Sequence, residues 1–286
     1  MKTRIHTVAL AVTAAALVAA PLAIAAPAAA APAPNTAKVL FFSNDSYSDP
    51  DGEDPTQIAA LEEGGATVTV FDGGDGTGAA WSAALSGQDF LVIPESESIF
   101  DSPVLDDDAE DVLFAFVDDG GQIILPTLYQ PELLSFLTGL DYTAVWSTSH
   151  ERDPGLLQVD NPAFPAEVLY SDSTDVVDDL GTWGPDLLDP LTPLYLAEDG
   201  LSLYAGQWTV GAGTITVLAY DWYPGDEPED IAGRATWNQL LQAIVYVPGP
   251  QLAATGLEVS PVAFAALGVL VLGSGALLLA RRTAKA

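Results

Sequence analysis

An open α/β sheet, mostly parallel and with helices on both faces, is the fold that the first half of this 286-residue chain predicts. Three features point to it: short apolar runs fit for buried parallel strands, helical stretches between them, and tight glycine turns closing each unit. Lys38-Val-Leu-Phe-Phe-Ser43 is the first such run. Asp54 and Pro55 read as N-cap and first residue of a helix that runs through Ile58, Ala59, Leu61 and Glu62 to a stop at Gly64-Gly65. Residues 67–71 are β-branched and strand-like, 79–85 make a short helix, and 90–94 give a third strand. An acidic-faced helix over 103–117 ends at Gly120-Gly121, and 122–125 form a fourth strand before a helix around 131–137.

The alternation then breaks. Residues 141–212 are rich in aromatics, Asp and Pro, with strands expected at 155–159, 166–170 and 201–210, and read as a β-rich insertion. Gly211-Ala212-Gly213 makes a tight turn, and 214–220 return as a core strand. A closing helix over 234–245 puts Trp237, Leu240, Leu241 and Ile244 on one face.

Charge excludes several functions. The chain carries 8 Lys and Arg against 40 Asp and Glu, a formal charge of −32. Between residues 32 and 255 there are 39 acids and only three bases, Lys38, Arg152 and Arg234. So negative a surface repels phosphate backbones and anionic headgroups, which argues against nucleic-acid binding. With no cysteine there is no disulfide, no thiolate metal site and no Cys nucleophile.

The two ends speak of location. Residues 1–31 have the layout of a secretory signal peptide: Lys2 and Arg4, an apolar run over 8–20, then small residues offering A-x-A cleavage sites. Residues 262–280 contain no charge, and 19 residues of helix span about 28 Å, close to the hydrocarbon thickness of a bilayer. Arg281, Arg282 and Lys285 follow in the 281–286 tail, which the positive-inside rule places in the cytoplasm. The linker and motif occupy 248–256, ending in Leu252-Ala253-Ala254-Thr255-Gly256.

Pentapeptide, apolar helix and basic tail in that order resemble the sorting signal of Gram-positive cell-wall proteins. Ala253 stands where the usual Leu-Pro-x-Thr-Gly motif has proline, as in the Leu-Ala-x-Thr-Gly variant of high-GC actinobacteria. The resemblance implies that a sortase cuts between Thr255 and Gly256 and joins Thr255 to the peptidoglycan precursor, the precursor being held in the plasma membrane until then. The competing reading is a single-span membrane protein that sortase does not process. The eight residues from Pro248 to Thr255 reach at most about 28 Å, so the head is tethered close to its attachment point.

Residues 38–125 and 201–247 resemble the class I glutamine amidotransferase-like, flavodoxin-related domains. The likeness rests on Val39-Leu-Phe-Phe42, Phe90-Leu-Val-Ile-Pro94, the stretch from Phe116 to Ile124, and the stretch from Gly211 to Trp222. Active members of that family use a Cys on a glycine-flanked elbow after the fourth strand, with a His and an acid near the last strand. Here the elbow reads Leu125-Pro126-Thr127-Leu128-Tyr129, and Asp221-Trp222-Tyr223-Pro224 follows the last strand without His. The resemblance therefore implies the fold and no catalytic residue.

In an open α/β sheet, ligands sit outside the carboxyl ends of the strands where strand order reverses. The residues expected there are Asn44, Asp45, Asp72, Glu95, Glu97, Thr127 and Asp221, with Asp45 and Glu95 flanking the crevice if the first and third strands are neighbours. Carboxylates gathered on one edge repel unless a cation, a proton or hydrogen bonds offset them, so a Ca²⁺, Mg²⁺ or sugar-hydroxyl site is one reading. The other is that so many acids place some at every edge by chance. Asp49, Asp51 and Asp54 surround Gly52 in a loop that suits calcium by composition, yet with Gly52 at position six an EF-hand would need Tyr47 and Ile58 as ligands. That loop and Asp72-Gly73-Gly74-Asp75-Gly76 read as solvated turns.

The rival function is carbohydrate hydrolysis, with Glu95 and Glu97 as the carboxylate pair and Trp146, Trp183, Trp208, Trp222 and Tyr223 available to stack on sugars. His150, the only histidine after the leader, lies in a polar stretch and reads as an exposed loop residue. The preferred expectation is a wall-anchored surface protein with a non-catalytic binding or structural role, its ligand unspecified.

Overall fold

The computed structural model describes residues 37–95, 105–126, 131–149, 153–171, 174–222 and 228–246. The expected leader, the 252–256 motif, the 262–280 span and the basic tail lie outside the described residues, as do Glu97, Thr127, His150 and Tyr223. No helix among the described residues is long and apolar enough to cross a membrane.

The first half alternates as expected: β1 (Lys38–Phe42), α1 (Glu53–Glu63), β2 (Thr67–Phe71), α2 (Gly78–Leu85), β3 (Phe90–Val92), α3 (Asp107–Asp118) and β4 (Gln122–Pro126). β1 lies between β2 and β3, and β3 pairs with β4, all in parallel. Val39, Leu40, Phe41 and Phe42 are each at most 1% exposed. Successive strand residues face opposite sides, so full burial of the run means that both faces are covered. α2 and α3 start on side-chain caps: Thr77 Oγ1 accepts from the Ala80 N–H at 3.3 Å, and Asp106 Oδ1 from Ala109 at 2.7 Å.

One boundary differs from expectation in a way that matters. α1 begins at Glu53, with Gly52 as N-cap, so Asp54 lies inside the first turn. Pro55 becomes the third helical residue, where its missing N–H is still no loss. A side chain at position 52 would meet the Asp49 carboxylate at 2.1 Å, and glycine removes that clash.

The second half comprises α4 (Pro131–Thr138), β5 (Thr148–Ser149), β6 (Gly155–Leu157), β7 (Glu167–Val168), β8 (Val176–Val177), α5 (Pro185–Leu188), β9 (Leu191–Leu196), β10 (Leu203–Val210), β11 (Gly213–Leu218) and α6 (Pro228–Tyr246). β11 pairs in parallel with β4 and antiparallel with β10. The sheet order is β2-β1-β3-β4-β11-β10-β9-β6-β7, with β5 and β8 branching from β10. The 141–212 stretch thus prolongs the same sheet in antiparallel fashion. α1 packs on α6, and α2 on α3. The Trp237, Leu240, Leu241 and Ile244 face of α6 is buried, as its periodicity predicts.

β9 has no strand signal in the sequence because Pro193 interrupts it. Pro193 sits opposite Gly206, next to a register irregularity in the β9–β10 ladder that accommodates the missing N–H. A Cβ on Gly206 would meet Leu191 Cδ1 at 2.7 Å, so the glycine permits the close approach. Gly211, with φ of 56°, turns β10 into β11 where any Cβ would meet Asp118 Oδ1 at 2.1 Å.

Candidate functional site

The chain leaves β1 toward β2 on one side and returns to β3 on the other, so strand order reverses between β1 and β3. In open sheets of this kind the loops at the carboxyl ends of the strands diverge at such a point, and ligands bind there. Glu53 stands at the first position of α1 after β1, Glu95 three residues beyond β3, and Asp221 three residues beyond β11. One carboxylate oxygen from each lies within 4.8 Å of the other two. Glu53 is buried, at 4% exposure, while Glu95 and Asp221 are half-buried. Among the described residues this is the one group of three potential ligands close enough to share a metal ion.

After Glu53 the first turns of α1 hold further buried polar groups. Asp54 is 1% exposed and accepts from Ser48 Oγ at 2.8 Å through Oδ2, whereas its Oδ1 has no hydrogen-bond partner. Burial pushes this carboxyl above the usual carboxylate range; the hydroxyls of Ser43 and Ser48 oppose the rise and Asp49 adds to it. Gln57 is completely buried, and both its amide oxygen and its amide nitrogen lack partners. Unsatisfied groups of this kind are rare because each costs about 1–3 kcal/mol of desolvation.

On the other flank, Tyr220 is buried, and burial holds its hydroxyl above the ordinary phenol range. Arg234 opposes that rise while Asp230 and Asp221 add to it, so the one arginine of α6 shares this region with two acids.

The residues singled out from sequence fare differently. Glu95 and Asp221 come together. Asp45 is exposed on the turn after β1 and does not join them; Glu53 takes part instead. Asp72 is exposed, and its Oδ1 accepts the Gly74 N–H at 2.9 Å, closing the glycine turn. Asp75 does the same for Thr77, and these bonds hold its carboxyl below the usual range. Asp49 is half-buried, Asp51 exposed and Asp54 buried, without forming a ligand group of three among the described residues. Glu53 escaped notice because the helix was expected to start at Asp54. The signal was available: Glu53, Gln57, Ala60 and Leu61 fall at i, i+4, i+7 and i+8, the buried stripe of α1 extended back by one turn.

The tryptophans are core groups. Trp208 donates from Nε1 to the Tyr142 hydroxyl at 2.6 Å, Trp183 to the Val145 carbonyl at 3.3 Å and Trp222 to Asn238 Oδ1 at 2.8 Å. All three are at most 4% exposed, and Trp146, half-buried, stacks on Trp183 at 5.9 Å.

No protein-family model and no curated protein matches the chain. Among solved structures it is similar to a cytoplasmic protein of Salmonella typhimurium LT2, at 14% identity, covering 72% of this chain and 99% of that one with a TM-score of 0.46. A protein described as ThuA-like from Bacteroides uniformis matches at 15% identity over 77% of this chain and 94% of its own, with a TM-score of 0.47. An exo-β-1,4-mannosidase from Opitutaceae bacterium strain TAV5 matches at 13% identity and a TM-score of 0.43 over 74% of this chain, which spans about a third (36%) of the enzyme.

Proposed function

We propose that this chain is an actinobacterial surface protein, exported by residues 1–31 and joined through Thr255 to peptidoglycan by a sortase. Its α/β head holds a ligand in the crevice at the β1–β3 switch point without transforming it. The observation that carries the binding role is the convergence of Glu53, Glu95 and Asp221 in that crevice. Carboxylates gathered this closely suit a ligand that offers positive charge or hydrogen-bond donors. The non-catalytic part rests on the sequence from Leu125 to Tyr129, which has neither the nucleophile nor the glycines of an amidotransferase elbow. The parallel order β2-β1-β3-β4-β11 supports assigning the head to the amidotransferase-like, flavodoxin-related type.

Mass spectrometry of muramidase-released envelope fragments tests the location: a stem peptide is expected on Thr255, and an intact carboxyl terminus through Ala286 would refute attachment. A second reading, glycoside hydrolysis, draws on one observation. One carboxylate oxygen of Glu95 lies within 4.8 Å of one of Asp221, which suits the short carboxyl separation of about 5–5.5 Å in a retaining glycosidase. Glycan release by the wild type that disappears in Glu95→Gln and Asp221→Asn would favour the hydrolase.

A further inference from the structure

We infer that a second copy of this chain docks on the open edge of β2. The two β2 strands pair antiparallel about a two-fold axis at Thr69, so that the sheets of both copies become continuous. The inference goes beyond the proposed role and uses neither the crevice nor the attachment at Thr255.

Among the described strands β2 pairs only with β1, which leaves its other edge open. Natural sheets guard such an edge with a charge, a proline, a bulge or a very short strand. The opposite end of this sheet is guarded: β7 is two residues long, one of them the exposed Glu167, and Pro165 stands just before it. β2 has none of these devices. Its five residues, Thr67-Val-Thr-Val-Phe71, keep unbroken register with β1, and Gly64 to Phe71 carry no charge in a chain with 40 acids. Val70 is 56% exposed, more than any other large apolar side chain among the described residues, and Thr67 and Thr69 are exposed beside it.

The backbone sets the register. The Thr67 N–H donates to the Ala37 carbonyl at 2.9 Å, and the Phe71 carbonyl accepts from the Ser43 N–H at 2.9 Å. Residues 67, 69 and 71 thus turn their peptide groups toward β1. Direction alternates along a strand, so Val68 and Val70 turn theirs outward. Two such strands satisfy all these outward groups when Val68 of each faces Val70 of the other. Both pairs then exchange two N–H···O=C bonds, and Thr69 faces its own copy as the closer, non-bonded pair between them. Moving the axis by one residue would set a valine against Ala66, whose N–H donates to Leu61, or against Asp72, whose carbonyl accepts from Asn44.

The side chains agree with that register. Val68 and Val70 of both copies form one four-valine cluster on one face, while on the other Thr69 meets Thr69 and Thr67 meets Phe71. Asp72 falls opposite Ala66, so no acid faces an acid. A strand complementary to itself about a two-fold axis selects a second copy as its partner.

The test exploits the absence of cysteine, since one introduced thiol reports alone. Full-length Thr69→Cys and Thr67→Cys, solubilised in detergent, are oxidised and compared on non-reducing gels. In the inferred pairing the two Cα atoms of position 69 lie about 4.5 Å apart, within disulfide reach, and those of position 67 about 14 Å apart, beyond it. Covalent dimer is expected from Thr69→Cys and not from Thr67→Cys, although both positions are exposed. Its yield should rise with salt, because screening weakens the repulsion between two acidic copies. Val70→Lys in the Thr69→Cys background supplies an edge charge while lowering the net negative charge. It should leave the Tm unchanged and cut the dimer yield about tenfold as both valine pairs are lost. No dimer at position 69, equal yields at 67 and 69, or a yield that Val70→Lys leaves unmoved would overturn the inference. So would a Thr69→Cys chain that stays monomeric and captures an unrelated extended peptide instead. A monomeric chain that carries its stem peptide at Thr255 keeps its surface role and loses only this inference.

Discussion

The two halves of the sheet treat buried polarity in opposite ways. In the antiparallel half most of the large buried aromatics have been given a partner, the Tyr220 hydroxyl excepted. Trp208 donates to Tyr142, whose hydroxyl in turn donates to the Leu187 carbonyl at 3.1 Å. Tyr195 donates to Pro165 at 2.7 Å and Trp237 to Leu169 at 3.1 Å, while Tyr204 donates to the Asp153 carbonyl. The rings of Tyr142, Trp146, Trp183 and Trp208 pack edge-on, tilted or stacked with centroids between 5.4 and 6.4 Å. In the parallel half β1 and β3 are almost wholly apolar, and unsatisfied buried atoms gather in the first turns of α1, at Asp54 Oδ1 and both amide atoms of Gln57, with Gln88 Oε1 a further one before β3. A satisfied network fixes a structure, whereas unsatisfied buried groups are rare because they are costly to keep.

The largest effect should come from the satisfied side. Trp208→Ala deletes a fully buried ring and its hydrogen bond, and urea unfolding should show a loss of about 3–5 kcal/mol. A loss under about 1 kcal/mol would mean that the aromatic network is decoration. Tyr142→Phe is the next step down, leaving the Trp208 N–H without its acceptor at a cost of about 1–3 kcal/mol. It also carries a pH signature. Burial pushes the Tyr142 hydroxyl from 10.0 up to about 12, against the lowering pull of Trp208. A proton held more tightly in the folded chain gives stability that is complete below pH 10 and lost as the pH climbs through about 12. The alkaline limb of the stability profile should therefore flatten in Tyr142→Phe.

A matched pair of glutamines sharpens the contrast directly. Gln207, in β10, donates from Nε2 to Thr216 Oγ1 at 3.2 Å, so Gln207→Leu should cost about 1 kcal/mol. Gln57→Leu should instead be neutral or stabilising by about 1 kcal/mol, because it relieves an amide that had no partner. Losses of equal size at both positions would show that Gln57 is satisfied in solution. The smallest effect is expected at the α2 cap, where Thr77→Ala removes a long 3.3 Å bond and should cost about 0.5 kcal/mol by thermal melting.

The halves also differ in how much of them could be read beforehand. β1, β3 and β4 are legible because a parallel strand buried on both faces must be a nearly continuous apolar run, and the turns between units are glycines at positive φ such as Gly65 and Gly120. The antiparallel half is less legible. β5, β7 and β8 are only two residues long, and β9 contains a proline that is tolerated by a ladder irregularity formed with a distant strand. At the edge, Glu95 and Asp221 could be anticipated from their place after strands. Glu53 was missed because the helix was expected to begin two residues later, which left it in the loop although the buried stripe of α1 extends back to it.

Local sequence by itself determined the alternation of strand and helix, the acidity of the head and the absence of an amidotransferase nucleophile. These depend on residue type, short-range periodicity and composition, which need no knowledge of distant contacts. Only the tertiary structure decided which three of 40 acids meet and that the 141–212 stretch extends the one sheet. Both outcomes depend on strand order and on where each loop leaves the sheet, and residues 53, 95 and 221 are too far apart along the chain for any local pattern to connect them.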